Sequence, residues 1–184
     1  MRTFYATVLT FAGLLATTSQ LRADFISTAT LTAAADGATN SKGSGTATVD
    51  YSAMNNDFTY TLSWTNLTGN ATMSHIHYGA TGVSGSIVIP FFMMPMPGTD
   101  TITGTLTQAD VTPAAGINTI ADVAAAIESG NAYVNIHTMM YPAGEVRGQL
   151  AVSSSATPEP ATTGLAVLAL ASGAAFAWRR RRAG

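Results

Sequence analysis

The sequence predicts an all-β domain, an antiparallel β-sandwich with one short soluble helix, followed by a separate hydrophobic helix at the carboxyl end. Three observations predict it. Phe58, Tyr60, Leu62 and Trp64 alternate with Thr59, Thr61, Ser63 and Thr65, so one face of an extended segment is apolar and the other hydroxylated. Short runs of this kind recur along the chain, parted by Gly, Asn, Asp and Pro, and only one soluble helical pattern interrupts them. The 184 residues include no cysteine and only 10% charged side chains, so a hydrophobic core alone must hold the domain.

Residues 25–34 and 43–52 are Thr-rich strands, separated by Asp36-Gly37 and Asn40-Ser41-Lys42-Gly43. The turn Asn55-Asn56-Asp57 joins residues 45–51 to 58–64 as a hairpin. Residues 73–78 form a strand with His75 and His77 on one side. A Gly-rich loop, 79–85, leads to an extended run at 86–90. Pro90, Pro95 and Pro97 then exclude a regular interior strand. That leaves Phe91, Phe92, Met93, Met94 and Met96 in an extended loop that covers the sheet or contacts a partner. Residues 101–106 are another strand, and 108–111 one helical turn. Residues 120–129 form the soluble helix, capped by Asn118 or Thr119, favoured by Asp122 and ended by Gly130. A hairpin over residues 131–152 closes the domain. In it Tyr133, Asn135 and His137 share one face, Val134 and Ile136 the other, around a turn at 141–144.

The ends carry processing segments. Residues 1–23 have a positive start at Arg2, an apolar stretch and a small residue before Asp24, the pattern of a leader removed by signal peptidase. The domain spans residues 24–152 and a linker 153–157. After Pro158, Glu159 and Pro160, residues 161–178 carry no charge and as a helix would reach about 27 Å, enough to cross a membrane. Arg179, Arg180, Arg181 and Arg182 would stay on the cytoplasmic side, leaving the domain outside. Between Asp24 and Leu150 nine acidic residues face only Lys42 and Arg147, a net charge of about −7, which argues against nucleic acid as a partner.

The Pro158-Glu159-Pro160 triplet, the helix 161–178 and the arginines 179–182 together resemble the PEP-CTERM sorting signal of Gram-negative bacteria. The resemblance implies recognition by an exosortase, a membrane transpeptidase. A transient membrane anchor and then release or attachment at the cell surface or in extracellular polymer would follow. The domain resembles the CHRD domain. The resemblance rests on His75-Ile76-His77 with its Gly-rich loop, Gly104-Thr105-Leu106-Thr107, the helix leading to Gly130, Val134 to Thr138, and Pro142 to Leu150. It implies a β-sandwich, of the immunoglobulin-like or superoxide-dismutase-like Greek-key kind, and no particular activity.

His75, His77 and His137 are the candidate metal ligands, because two imidazoles two apart on one strand and a third on another can hold copper or zinc. Copper-zinc superoxide dismutase is a sandwich with a similar His-x-His strand, but a fourth histidine and a bridging site are missing here. Met93, Met94, Met96, Met139 and Met140 would suit Cu(I) if they fold over the histidines. The ordinary alternative is that the imidazoles make structural hydrogen bonds. Glu145 and Arg147 share a strand face and are expected to form a structural ion pair, with a neighbouring carboxylate or backbone carbonyl as other partners for Arg147. No nucleophile elbow, phosphate loop or paired-carboxylate motif appears, so the expectation is not an enzyme. It is an exported, surface-sorted binding or structural module associated with the cell surface, extracellular polysaccharide or a surface protein. The alternative is a copper- or zinc-binding, weakly redox-active protein using the three histidines. A less favoured reading is a sugar binder with Trp64 or Phe91-Phe92 as stacking platform.

Overall fold

The computed structural model describes residues 23–38 and 40–155. The expected leader up to Arg22, the sorting segment from Pro158 to Arg182 and its helix 161–178 lie outside the described residues.

Among the described residues, nine strands and one α-helix follow in the order β1 (Phe25–Thr32), β2 (Ser44–Ser52), β3 (Asp57–Thr65), β4 (Ala71–Tyr78), β5 (Ser86–Phe92), β6 (Asp100–Leu106), α1 (Ile120–Glu128), β7 (Ala132–Thr138), β8 (Val146–Gln149) and β9 (Ala151–Ser155). They form one antiparallel sheet in the order β5-β4-β7-β8-β1-β2-β3-β6, with β9 also paired to β1. The sheet rolls up as a sandwich that is nearly closed. Tyr60 of β3 meets Phe91 of β5 with ring centroids 4.8 Å apart, and Trp64 meets Phe92 at 5.5 Å, so an aromatic seam joins the two ends.

Alternation sets the core. Phe58, Leu62 and Trp64 of β3 face Tyr51, Ala47 and Gly45 of β2 in register, and β1 adds Phe25, Ala29 and Leu31, all buried. Removing Phe58, Leu62 and Leu31 from water contributes on the order of 1.5–3 kcal/mol each. The helix begins where Thr119 accepts from the Asp122 N–H while Asp122 accepts from the Thr119 N–H. It ends before Gly130, whose φ of 72° suits only glycine comfortably. Its buried face, Ile120, Val123, Ala124, Ala126 and Ile127, packs against β7 and β9.

Two expectations change. The proline segment is not wholly a loop: β5 continues through Pro90 to Phe92, with Pro90 opposite His75. The strand lies at a sheet edge, where a missing N–H breaks no ladder. Phe91 and Phe92 are therefore half-buried on the aromatic seam, covering the sheet. The second run of the final hairpin is also divided. Leu150 donates to the Ala132 carbonyl at 2.9 Å, and the chain beyond it turns to pair with β1 as β9.

Candidate metal centre

Alternation places Met73, His75 and His77 on one face of β4. The antiparallel register sets Met73 opposite His137, His75 opposite Asn135 and His77 opposite Tyr133 on β7. On β8, Arg147 lies beside Asn135 and Gln149 beside Tyr133. The reverse face supplies Ile76, Val134 and Ile136 to the core. A face this polar would ordinarily be solvated, yet every residue of β7 is buried, as are His75, His77 and Arg147.

Loops cover it. Arg147 donates to the carbonyls of Ala80 at 3.1 Å and Val83 at 2.8 Å, and Gln149 to that of Gly79 at 3.0 Å. The Tyr133 hydroxyl accepts from the Gly85 N–H at 3.0 Å, so loop 79–85 is pinned across the face. From the other side, Asp36 reaches the Asn135 amide, and Asn135 donates to the Ala143 carbonyl at 3.4 Å. Gly144, at φ 133°, lies so close under Asp36 and Asn135 that a Cβ there would have to displace both side chains.

Inside this layer the structure brings His75, His77 and His137 together, with one ring nitrogen from each lying within 4.8 Å of the others. His75 Nδ1 is 3.3 Å from His137 Nε2. A tetrahedral ion with bonds of about 2.0–2.1 Å sets its ligand nitrogens roughly 3.3–3.4 Å apart, so this pair already has the required spacing. The third ring has to close up.

The remote nitrogens are also accounted for. His77 Nδ1 lies 3.0 Å from the Gly85 carbonyl and His137 Nδ1 3.0 Å from the Pro142 carbonyl. A carbonyl can only accept, so both rings carry their proton there and turn a bare Nε2 inward. His77 Nε2 is buried with no hydrogen-bond partner. His75 Nε2 has the Met93 sulfur at 3.2 Å.

Charge is kept off the cluster. Burial pulls the His75 pKa down to about 4, helped by His137 and His77. Burial also lowers His77, with Arg147 and His137 adding to it against the Gly85 hydrogen bond. His137 is lowered by burial against the pull of the Pro142 carbonyl and Asp36. All three are neutral at pH 7, as metal ligation requires. The Arg147 guanidinium sits 3.4 Å above the Tyr133 ring, and Tyr133 stacks on His77 at 4.8 Å and 8°.

The expected Glu145–Arg147 ion pair is not formed. Arg147 takes the carbonyl option. Glu145, fully buried, accepts from Ser41 Oγ (2.6 Å), the Thr68 N–H (2.8 Å), Thr68 Oγ1 (2.9 Å) and Thr138 Oγ1 (2.6 Å). Burial pushes its pKa up, but these hydrogen bonds outweigh that and leave it below the ordinary carboxylate value. Of the expected methionines, Met93 reaches the cluster. Met96 is half-buried with its N–H on the Ala71 carbonyl at 2.8 Å, and Met94, Met139 and Met140 are exposed. Asp36 was legible only as part of a turn. Nothing local in Asp36-Gly37 signals that it closes over β7, where burial raises its pKa against the pull of His137, Arg147 and Asn135.

The pattern of the CHRD domain matches residues 27–150, which include every residue of this layer. The chain belongs to the CHRD family. In this CHRD protein a second pattern, the PEP-CTERM protein-sorting motif, matches residues 156–182 and begins where β9 has just ended. That motif implies export, processing by an exosortase at the membrane, and then placement at the cell surface or outside the cell. No curated protein matches the chain.

Proposed function

We propose that this CHRD protein is an exported, surface-sorted, non-enzymatic module whose domain holds one transition-metal ion through His75, His77 and His137. One observation carries the reading: each ring nitrogen turned away from the cluster has an acceptor, the Gly85 carbonyl, the Pro142 carbonyl or the Met93 sulfur. Metal-ligating histidines are fixed in this way by an outer partner on the second nitrogen. The same arrangement leaves three lone pairs converging in a buried space. Without a cation, His75 must move its proton to Nδ1 and donate to His137, and its Nε2 then faces sulfur with no proton between them.

The test is metal content of the full chain after loading with Zn(II) or Cu(I) and gel filtration, beside His77→Ala and His137→Ala, with circular dichroism to confirm folding. One ion per wild-type chain, lost in both folded variants, is the expected result. Sub-stoichiometric metal in all three would end the reading.

A second reading, matrix association, is favoured by the outer face of β1, β2, β3 and β6. Register aligns Thr28, Thr48, Thr61 and Thr103 across four strands, and beside them Thr30, Thr46, Ser63 and Thr101. Such rows of hydroxyls suit hydrogen bonding to polysaccharide. Trp64 is buried and Phe91 and Phe92 are packed on the seam, so none of them is free as a stacking platform. Binding on a glycan array that Thr48→Val with Thr61→Val abolishes would support this reading, and equal binding by both chains would remove it.

A further inference from the structure

Resting on the three-histidine reading, we propose that the ion is monovalent copper, collected at the cluster by exposed methionine thioethers. Met93 and Met94 follow β5, Met139 and Met140 follow β7, and all four are exposed. The register brings the two pairs to the same end of β4. Ala71, at that end, bridges Met96 on one side and is aligned with Thr138 on the other. Both segments also touch the ligands themselves: Met93 Sδ lies 3.2 Å from His75 Nε2, and the loop of Met139 and Met140 supplies the Pro142 carbonyl to His137. Met73, on the histidine face of β4 and opposite His137, adds a half-buried thioether.

Four flexible apolar side chains left in water at one end of a sheet bury little of their surface there. As ligands they have a use. A thioether is a soft donor without a proton to lose, and it favours Cu(I) over the harder divalent ions. The donors around the cluster are imidazole and thioether. The Asp36 carboxylate lies toward Asn135 and is not part of the three-nitrogen group. Capture is ligand exchange: Cu(I) leaves a carrier for exposed sulfurs and then passes to Nε2 of His77 and His137 and to Nδ1 of His75, whose proton moves to Nε2 beside the Met93 sulfur, with no change of oxidation state.

The experiment uses the full chain under anaerobic conditions, with Cu(I) presented as its bicinchoninate complex and Zn(II) as competitor. It compares wild type, His77→Ala, and the triple variant Met94→Leu, Met139→Leu, Met140→Leu. Leucine keeps the apolar bulk at three exposed sites and removes only sulfur. Wild type is expected to take one Cu(I) and hold it against excess Zn(II). The triple variant should take it up roughly tenfold more slowly, the scale on which groups around a metal site act, with Zn(II) binding unchanged. Displacement of Cu(I) by Zn(II), or equal uptake by the triple variant, would overturn the copper assignment while leaving the histidine site standing. No metal of either kind in wild type would overturn both.

Discussion

Glu145→Gln isolates the buried carboxylate that ties the site's surroundings together. Its Oε1 accepts from Ser41 Oγ and the Thr68 N–H, and its Oε2 from the hydroxyls of Thr68 and Thr138. Glutamine keeps the volume. Its oxygen must take the Oε1 position, because the Thr68 N–H cannot reverse, and its NH₂ then faces two hydroxyls that can rotate to accept. What is lost is charge. Hydrogen bonds to a charged group contribute about 1.5–3 kcal/mol against 0.5–1.5 for neutral ones, and geometry shared on one carboxylate does not add fully, so the expected loss is about 1–3 kcal/mol at pH 7. Glu145→Ala, which strands the donors as well, should lose about 3–5 kcal/mol. Urea unfolding followed by fluorescence of the buried Trp64 gives the difference. The sign with pH follows from the depressed pKa. Ionised Glu145 stabilises the fold fully above its unfolded value of about 4.5, and that contribution disappears as pH falls through the lower folded value. The histidines titrate alike in both chains, so the gap between wild type and Glu145→Gln should be constant at neutral pH and narrow on acidification. A gap absent at pH 7, or unchanged at acid pH, would refute the charged-cage account.

Arg147→Ala should lower metal affinity about 10–100-fold with the strands intact, because it releases loop 79–85 and the Gly85 carbonyl that fixes His77. Arg147→Lys should restore it only in part, since an ammonium can donate to the same two carbonyls but has no plane to stack on Tyr133; isothermal titration with Zn(II) measures both. Gly144→Ala should destabilise by about 2–4 kcal/mol, because the position has φ 133° and a Cβ would land on Asp36 and Asn135. Thermal unfolding by circular dichroism reports it, and a loss below 1 kcal/mol would show that the turn relaxes freely.

Where the signal is local, the sequence was readable. β3 follows from strict alternation, and α1 from Thr119, Asp122 and Gly130, and both stand within a residue of their expected ends. Pro90 was misread because proline forbids only an interior strand, and whether β5 is interior or edge depends on which strands meet across the whole sheet. The three histidines were legible as a cluster from spacing alone. Their setting was not, since the burial of that face comes from loop 79–85, the Asp36 turn and the 139–144 turn, which converge from three places in the chain. The Glu145–Arg147 expectation failed for a related reason. Opposite charges two residues apart looked like partners, but Glu145 found its neutral donors on two distant segments and on Thr138 across its own hairpin, and Arg147 its carbonyls in loop 79–85.

A purely structural role for the histidines meets a difficulty in the hydrogen-bond pattern. Buried polar groups stabilise a fold only when each finds a partner, and a part-satisfied network is worse than an apolar one of the same shape. Here His77 Nε2 is buried with none, while both its neighbours present nitrogen toward it. Leucine or valine at these positions would extend the apolar packing of Ile76, Val134 and Ile136 through to the outer face at lower cost. The chain instead carries three neutral imidazoles under a covering of loops, with Arg147 close enough to disfavour protonation of His77 through the Tyr133 ring between them. On the proposed metal reading, an arrangement that resists protons yet gathers lone pairs is stabilised by a cation that binds nitrogen more strongly than a proton does at neutral pH, which is the behaviour of a transition metal.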